Sequence, residues 1–431
     1  MRPEDAPKRE SPTISSILSQ RRKSMQTAIS QDHPIPTATP GIADIVGFGI
    51  DGVRVMRNTL GAEVVNAIED FGFRAGGWRT DRHVRLLGDT TGDGNAEIVG
   101  FGDDGVYVSR NLGNSTFSSP PTKVIGSFGY NQEAGGWRIN KHPRLLADLR
   151  NTGRCDLIGF GDDGVSVSFN QGNGVFSPIQ LLIPQFGHDC GGWRTEKHLR
   201  FLGDVMGNGF LDIVGFGDTH VHVTQNNGDQ TFGPSQAMLN AFCYNAGGWR
   251  IEEHPRMMAD LTGDGKLDIV GFAHAGVNVS FNNGNGGFMD PKIVVTSFGV
   301  GAGWHVDKHP RFVADLTGDR RGDIIGFGNE GVYVSYNNGD GTFQAPELVL
   351  QDFGVVQGWS TRKHMRFIVD LTGSGCADVL GFGESAVWAA FNDGKGRFGP
   401  VKKVTDSFAY GGGEWSLDIT QRYVVNLGRR S

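Results

Sequence analysis

The sequence predicts an all-β fold, a seven-bladed β-propeller of four-stranded antiparallel blades whose ring is closed by the C-terminal strand. Three observations predict it: a repeat marked by tryptophan, four short strand patterns in each repeat, and two incomplete repeats at the ends of the chain. The tryptophans are 55–59 residues apart, a period typical of propellers and solenoids. They are Trp78, Trp137, Trp193, Trp249, Trp304, Trp359 and Trp415.

Each repeat contains four short apolar patterns, separated by clusters of Gly, Asn and Asp that favour hairpin turns. The pattern lacks the three-four spacing of apolar residues that an amphipathic helix would show. Four antiparallel strands per unit is the composition of a propeller blade. In the fourth copy the strands are expected at residues 254–260, 268–272, 277–282 and 293–298.

The two ends of the chain indicate how the ring closes. The second-strand pattern, Asp-Ile-Val-Gly-Phe or a close variant, occurs seven times and first appears at Asp44, without a first strand before it. The last repeat ends in Arg422–Leu427, without a second strand after it. Pairing the two half-blades removes the exposed sheet edges of an open array. A closed ring is therefore expected rather than a solenoid, which would need polar caps.

The composition excludes several classes of partner. The 67 glycines occur beside 28 phenylalanines, which fits many tight turns in a packed fold rather than collagen or disorder. A net charge of -7 and a pI near 5.9 give no basic surface for a phosphate backbone, so nucleic acid is not an expected partner. No apolar run in the sequence reaches the length of a membrane span, so membrane insertion is not expected.

Residues 1–40 are rich in Ser, Thr and Pro and are predicted to be a flexible tail, with the propeller domain at residues 41–431. A short amphipathic helix or sorting signal near Ile14–Leu18 is the alternative. The N-terminus lacks the basic start and apolar core of a signal peptide, so a cytoplasmic location or non-classical secretion is expected. A monomer is favoured. Four widely spaced cysteines are expected to be free thiols: Cys155, Cys190, Cys243 and Cys376.

A nine-residue loop of the form Asp-x-x-Gly-Asp-Gly-x-x-Asp joins the first and second strands. Three carboxylates in a tight turn suit calcium, a hard cation that takes about six to eight oxygen ligands. The alternative is that the central Asp only bonds its own backbone. Arg320 and Arg321 lie inside the loop that begins at Asp315 and make it a less favourable metal site. The candidate calcium ligands are Asp89, Asp93, Glu97, Asp260, Asp264, Asp268, Asp315, Asp319 and Asp323.

Comparison of the seven copies distinguishes residues with a structural role from candidate ligand-binding residues. All seven copies keep an arginine two residues after the histidine position, as at Arg256, so this arginine is interpreted as at least partly structural. Arg256 and Asp260 are expected to face the same side of a strand and could pair. The histidine is replaced by Thr420 in the seventh copy, as expected for a repeated ligand site with one defective copy. A buried histidine satisfied by the backbone is the competing interpretation.

Tryptophan, histidine and arginine beside a Gly-Gly backbone suit a sugar. An indole can cover its apolar face, while imidazole and guanidinium groups bond its hydroxyls. Repetition around a rigid ring would add avidity. The arginine after tryptophan becomes His305, Ser360 and Ser416 in the last three copies. The candidate sugar-binding residues are Trp78, Arg79, His83, Trp137, Arg138, His142, Trp193, Arg194, His198, Trp249, Arg250, His254, Trp304, His309, Trp359 and His364.

The motif string that contains Trp249, His254 and Asp260 resembles the repeats of the Psathyrella velutina lectin family of mushroom lectins. The resemblance covers about residues 28–431, including Ile29-Ser-Gln and Pro34-Ile-Pro ahead of the first blade. It implies an integrin-like propeller with FG-GAP repeats that binds terminal N-acetylglucosamine, and in related proteins sialic acid, in pockets between neighbouring blades. It also implies calcium in some Asp-Gly loops. About six pockets are expected, one for each histidine.

Two other functions are compatible with a propeller. A glycosidase, as in the sialidases, would gather one set of catalytic groups at the centre of the ring, whereas the polar groups of this sequence repeat in every blade. An integrin-like protein-adhesion module would use loops on one rim. Repetition favours binding over catalysis, so the chain is expected not to be an enzyme and to have glycans and glycoproteins with terminal N-acetylglucosamine as partners.

Overall fold

The computed structural model of the chain describes residues 42–58, 62–412 and 414–428. The tail predicted for residues 1–40 lies outside the described residues. The described part of the chain forms seven four-stranded antiparallel sheets, one two-stranded ribbon and three short 3₁₀ helices. The prediction of an all-β, seven-bladed propeller is confirmed. None of the helices in the described ranges is long and apolar enough to cross a bilayer.

The strands follow one another blade by blade along the chain. Blade 1 begins with β1 (Asp44–Phe48), β2 (Val53–Met56) and β3 (Val64–Ile68). Blade 2 contains β4 (Val84–Gly88), β5 (Glu97–Phe101), β6 (Val106–Ser109) and β7 (Thr122–Ile125). Blade 3 contains β8 (Arg144–Ala147), β9 (Asp156–Phe160), β10 (Val165–Ser168), the ribbon of β11 (Asn170–Gly172) and β12 (Val175–Phe176), and β13 (Gln180–Ile183).

The remaining blades repeat the same order. Blade 4 contains β14 (Arg200–Gly203), β15 (Asp212–Phe216), β16 (Val221–Thr224) and β17 (Gln236–Leu239). Blade 5 contains β18 (Arg256–Ala259), β19 (Asp268–Phe272), β20 (Val277–Ser280) and β21 (Lys292–Val295). Blade 6 contains β22 (Arg311–Ala314), β23 (Asp323–Phe327), β24 (Val332–Ser335) and β25 (Glu347–Leu350). Blade 7 contains β26 (Arg366–Val369), β27 (Asp378–Phe382), β28 (Val387–Ala390) and β29 (Lys402–Thr405). The 3₁₀ helices are Gln132–Ala134, Val300–Ala302 and Tyr410–Gly412.

The last strand of the chain, β30 (Gln421–Val425), completes blade 1. It pairs antiparallel with β1, with Val425 opposite Asp44 and Arg422 opposite Gly47. The sheet order β3-β2-β1-β30 therefore joins the two ends of the ring. Closure of the ring by the C-terminal strand, expected from the two half-blades, is confirmed.

The second strand of each blade is its most buried element. In β19 all five residues of the Asp-Ile-Val-Gly-Phe pattern are buried, and the other six second strands share this burial. Alternation of apolar and polar residues is absent there because both faces of a blade are covered by its neighbours in the ring. The second strand of the fourth copy has the predicted bounds, while its first strand begins at Arg256 rather than at His254.

A buried arginine at the start of each first strand connects neighbouring blades. Arg256 is 2% exposed, donates Nη1 to the Phe242 carbonyl at 2.8 Å, and lies 5.7 Å from the ring of Phe216 in the preceding blade. Burial lowers the pKa of Arg256 to about 10. The expected pairing with Asp260 is wrong, because the Asp260 carboxylate accepts backbone N–H groups of its own loop. Both groups are thus part of the framework.

Candidate functional site

The turn that contains the tryptophan and precedes each first strand, called the corner below, buries its indole. Trp249 packs against the Phe242 ring with centroids 5.0 Å apart. A Cβ atom on Gly271 of β19 would lie 2.4 Å from the Trp249 ring, so the indole fits only over a glycine. The indole faces therefore lie inside the blades, which corrects the expectation that they cover a sugar. Each of the six candidate tryptophans is at most 8% exposed: Trp78, Trp137, Trp193, Trp249, Trp304 and Trp359.

The repeated histidine is held by the turn in which it lies. In the first copy, His83 Nδ1 accepts the backbone N–H of Arg79 at 3.0 Å, so Nε2 carries the proton and donates to Asp103 Oδ1 at 2.9 Å. Burial is the largest cause that lowers the pKa of His83 below its ordinary value of 6.5, because it disfavours the charged imidazolium. The Nδ1 contact recurs at His142, His198, His254, His309 and His364.

A polar residue 20 positions after the histidine accepts the Nε2 hydrogen bond in five copies, and the sequence analysis did not identify it. The three aspartates at this position keep 42–53% of their side chains exposed, so each carboxylate is held by histidine at one end and open to solvent at the other. The sequence contained one indication of this role: the seventh copy, which lacks the histidine, has Ile50 at the acceptor position. The five acceptors are Asp103, Asp162, Asp218, Asn329 and Glu384, at 2.9–3.2 Å.

The arginine that follows the tryptophan in the first four copies lies in a different cleft from the histidine of its own copy. Arg138 shares a turn with His142, but its guanidinium lies 3.9 Å from the Tyr130 ring and donates to the Tyr130 carbonyl at 2.5 Å. Tyr130 lies beside the preceding blade, because the next residue, Asn131, donates its N–H to the Asp103 carbonyl at 2.7 Å. The expected grouping within one copy is therefore corrected: the arginine joins the histidine and acid of the previous copy.

We call each such grouping an inter-blade cluster. It comprises the residue before the histidine, the histidine position and the residue 20 positions later. It also includes two residues from the next corner: the residue two after the phenylalanine that packs against the tryptophan, and the residue after that tryptophan. Clusters 1–3 are Arg82, His83, Asp103, Tyr130, Arg138; Lys141, His142, Asp162, His188, Arg194; and Lys197, His198, Asp218, Tyr244, Arg250. Clusters 4–7 are Glu253, His254, His274, Val300, His305; Lys308, His309, Asn329, Val355, Ser360; Lys363, His364, Glu384, Tyr410, Ser416; and Ile419, Thr420, Ile50, Phe73, Arg79.

The best-equipped clusters combine an exposed carboxylate with cations. In cluster 1, Arg82 Nη1 lies 3.5 Å from Asp103 Oδ1, and its guanidinium lies 4.8 Å from the Tyr130 ring. In cluster 2, Lys141 Nζ lies 3.0 Å from Asp162 Oδ1. Carboxylate oxygens accept and ammonium or guanidinium groups donate hydrogen bonds, so each of these clusters can bind a hydroxyl group in both of its roles.

The glycine before the tryptophan exposes the backbone next to the clusters in five of the seven copies. Gly248 has a φ of 69°, which favours glycine, and a Cβ atom there would meet no atom within 4 Å. The same open space is found at Gly77 and Gly192. This backbone is accessible to a ligand.

The Asp-Gly loops are closed by their own hydrogen bonds. Asp260 and Asp264 accept backbone N–H groups within their loop at 2.7–3.0 Å. Asp268 is buried, and both of its carboxylate oxygens accept backbone N–H groups. Among the described residues, one group of three His, Cys, Asp or Glu side chains brings its ligand atoms within 4.8 Å of one another, and it is not in such a loop. It consists of Asp162, His188 and Asp189.

We expect His83→Ala to lower the free energy of unfolding by about 1–3 kcal/mol, because it removes two buried hydrogen bonds. The pKa of His83 is lowered on folding, so the unfolded chain binds the proton first as pH falls. The stability that His83 contributes is therefore complete above pH 6.5 and shrinks below it. Urea unfolding at pH 7.5 and 5.5 measures both effects. His274→Ala, at an exposed histidine, is the control, and equal stability of the two variants would contradict the assignment.

Comparison with solved structures finds several similar chains. An Agrocybe aegerita lectin, described by its specific recognition of non-reducing terminal N-acetylglucosamine, is 57% identical, with coverage of 93% of this chain and 99% of that chain and a TM-score of 0.90. The Photorhabdus luminescens Tc holotoxin pore is 17% identical over 83% of this chain and 16% of that chain, with a TM-score of 0.49. The Pseudomonas aeruginosa periplasmic gluconolactonase is 12% identical over 90% of this chain and all of that chain, with a TM-score of 0.46. Neither a protein-family model nor a curated protein sequence matches the chain.

Proposed function

Because the chain belongs to the family of the Agrocybe aegerita lectin, we propose that it is a lectin that binds non-reducing terminal N-acetylglucosamine on glycans and glycoproteins. The observation that carries this proposal is 57% identity over 93% of the chain, on the same seven-bladed fold. The match covers most of this chain and nearly all of the lectin, so it extends over most of the propeller.

The inter-blade clusters are the proposed sugar sites. A pyranose carries neighbouring hydroxyl groups that both donate and accept hydrogen bonds. This matches the Asp103 carboxylate with Arg82 beside it and Arg138 on the neighbouring Tyr130 ring. The Tyr130 ring adds apolar surface. In cluster 3, whose arginine is Arg250, the backbone of Gly248 is open to solvent and can approach an acetamido group. In this proposal the tryptophans shape the corner and the sugar contacts the residues around it.

Binding without catalysis is part of the same proposal. The polar clusters recur between successive blades, whereas a glycosidase needs one set of catalytic groups around one bond. Several weak sites around a rigid ring suit avidity for multivalent glycans. Protein adhesion through loops on one rim is the alternative function.

A glycan array with free N-acetylglucosamine as competitor tests the function. The expected result is binding to glycans with terminal N-acetylglucosamine that the free sugar abolishes. Capping the same glycans with galactose should remove the signal, and galactose as competitor should leave it unchanged. Absence of sugar-dependent binding at high glycan density would contradict the lectin proposal and favour protein adhesion.

We also propose calcium as a structural ion, in the loop of residues 89–97. Lys266 and Arg321 bond the central carboxylates of the other two candidate loops, at 3.3 Å from Asp264 and 2.5 Å from Asp319. The loop at 89–97 supports the proposal differently, because Oε1 of Glu97 is buried without a hydrogen-bond partner. Burial raises the pKa of Glu97 to about 7, and a cation would offset that cost.

We expect calcium at about 100 times its Kd to stabilise the protein by about 2.7 kcal/mol. Thermal unfolding with calcium and with a chelator measures the effect. Glu97→Gln should abolish the response, because the amide has no charge to pair with the ion. Asp264→Asn, in a loop whose central carboxylate already pairs with lysine, is the control. An unchanged melting temperature, with no metal found by elemental analysis, would contradict the proposal.

A further inference from the structure

We infer that clusters 1–3 are the high-affinity sugar sites of this chain, and that the arginine contributed by the following copy decides which clusters bind tightly. The inference rests on the proposed function and makes it more specific, because the sequence predicted about six pockets, one for each histidine, without ranking them. The clusters differ at the positions that surround the histidine. These differences divide them into three complete clusters, one that lacks a single group, and three that lack several.

Clusters 1–3 share a complete set of groups. Each has a cation before the histidine, an aspartate bonded to it, an aromatic ring at the corner and an arginine after the next tryptophan. In cluster 3, Lys197 and Arg250 lie 4.7 and 3.7 Å from the Tyr244 ring, and His198 bonds Asp218 at 3.1 Å. The two cations thus lie on the Tyr244 ring, and the residue after it, Asn245, donates its N–H to the Asp218 carbonyl at 2.7 Å. Cluster 2 differs only in having His188 where the others have tyrosine.

The arginine of a complete cluster is oriented by its backbone contacts. Nη1 of Arg250 donates to the carbonyls of Tyr244 and Trp249 at 2.6 and 3.0 Å. The same two contacts hold Nη1 of Arg138 and of Arg194. Within the described chain, Nη2 of these three arginines has no hydrogen-bond partner and is not buried, so it can donate to a ligand. A charged donor fixed in this way costs little entropy to use.

Cluster 6 is complete except for this arginine. Lys363 Nζ and His364 Nε2 lie 3.4 and 3.2 Å from Glu384 Oε2, and Lys363 lies 5.1 Å from the Tyr410 ring. Ser416 occupies the arginine position. Loss of one charged hydrogen bond weakens binding about 10- to 100-fold, so cluster 6 is a weak site.

The remaining clusters lack two or more groups. Cluster 5 has Asn329, Val355 and Ser360 in place of the acid, the aromatic ring and the arginine. Cluster 4 has no carboxylate at the acceptor position, where His274 stands, and no aromatic ring at its corner. Cluster 7 has Ile50 in place of the acid. None of these three presents a carboxylate between two cations.

Two matched substitutions test the inference. Ser416→Arg supplies the missing arginine of cluster 6, whereas Ser360→Arg places the same side chain in cluster 5, which also lacks the acid and the ring. The two serines are equally half-buried, and each accepts one long backbone hydrogen bond of 3.3 Å through Oγ. Titration calorimetry with N-acetylglucosamine gives the number of tight sites, and thermal unfolding verifies that both variants fold.

The expected numbers of tight sites are three in the wild type, four in Ser416→Arg and three in Ser360→Arg. Six equivalent sites in the wild type would overturn the inference but leave the proposed function intact. An unchanged number of tight sites in a folded Ser416→Arg variant would have the same consequence. Absence of N-acetylglucosamine binding by the wild type would overturn the proposed function itself. The two failures are therefore distinguishable in one set of titrations.

Discussion

Trp249→Ala is expected to lower the free energy of unfolding by about 3–5 kcal/mol. The indole is 5% exposed and fills the space between the Phe242 ring and the glycine of β19. Alanine leaves that space as a cavity, because Gly271 has no side chain that could close it. Urea unfolding of the variant and the wild type measures the loss.

Trp388→Ala is the matched control, since Trp388 is the tryptophan outside the repeat and is only partly buried. Trp388→Ala should lower the free energy of unfolding by clearly less than Trp249→Ala does. If Trp249→Ala instead left stability unchanged and removed a sugar site, the indole would be a ligand surface and the revised account of the corner would be wrong.

Replacing the three aspartates of clusters 1–3 by alanine is expected to remove nearly all tight sugar binding. Each substitution deletes the charged acceptor of its cluster, which should weaken that site about 10- to 100-fold. Stability should fall as well, by about 1–3 kcal/mol per cluster, because the buried histidine of each cluster loses the acceptor of its Nε2 hydrogen bond. Binding is therefore compared at a temperature at which the variant is folded. Binding to an N-acetylglucosamine surface and thermal unfolding are the two measurements.

The control for this triple variant uses the next carboxylates along the same turns. Asp104→Ala with Asp163→Ala changes the charge of the same rim without touching a cluster. It should retain sugar binding. Retention of half of the tight binding by the triple variant would show that the clusters without aspartate also bind tightly.

The fold could be predicted from the sequence almost completely. The spacing of the tryptophans indicated seven units, and the half-blades at Asp44 and Arg422 indicated the closure that β1 and β30 form. The number of blades and the closure of the ring both depend on local patterns of apolar and turn residues, which can be read directly from the sequence. The bounds of the second strand were predicted correctly in the fourth copy for the same reason.

The site was predicted less well because its residues come from different copies. His83 and Arg79 are close in sequence, yet the acid that His83 bonds lies 20 residues later. The arginine on the Tyr130 ring of the same cluster, Arg138, belongs to the next corner. Sequence proximity grouped them wrongly. Burial of the tryptophans could not be read from their repetition, because a packing residue and a ligand residue repeat equally well in a propeller.

The crystal structure of the protein bound to N-acetylglucosamine tests the central claim most directly. The account predicts sugar between neighbouring blades, in contact with Asp103, Asp162 and Asp218 and with the arginine that follows each of them in the next copy. Sugar bound at the Asp-Gly loops or in the central channel, with these carboxylates uncontacted at saturating sugar, would contradict it.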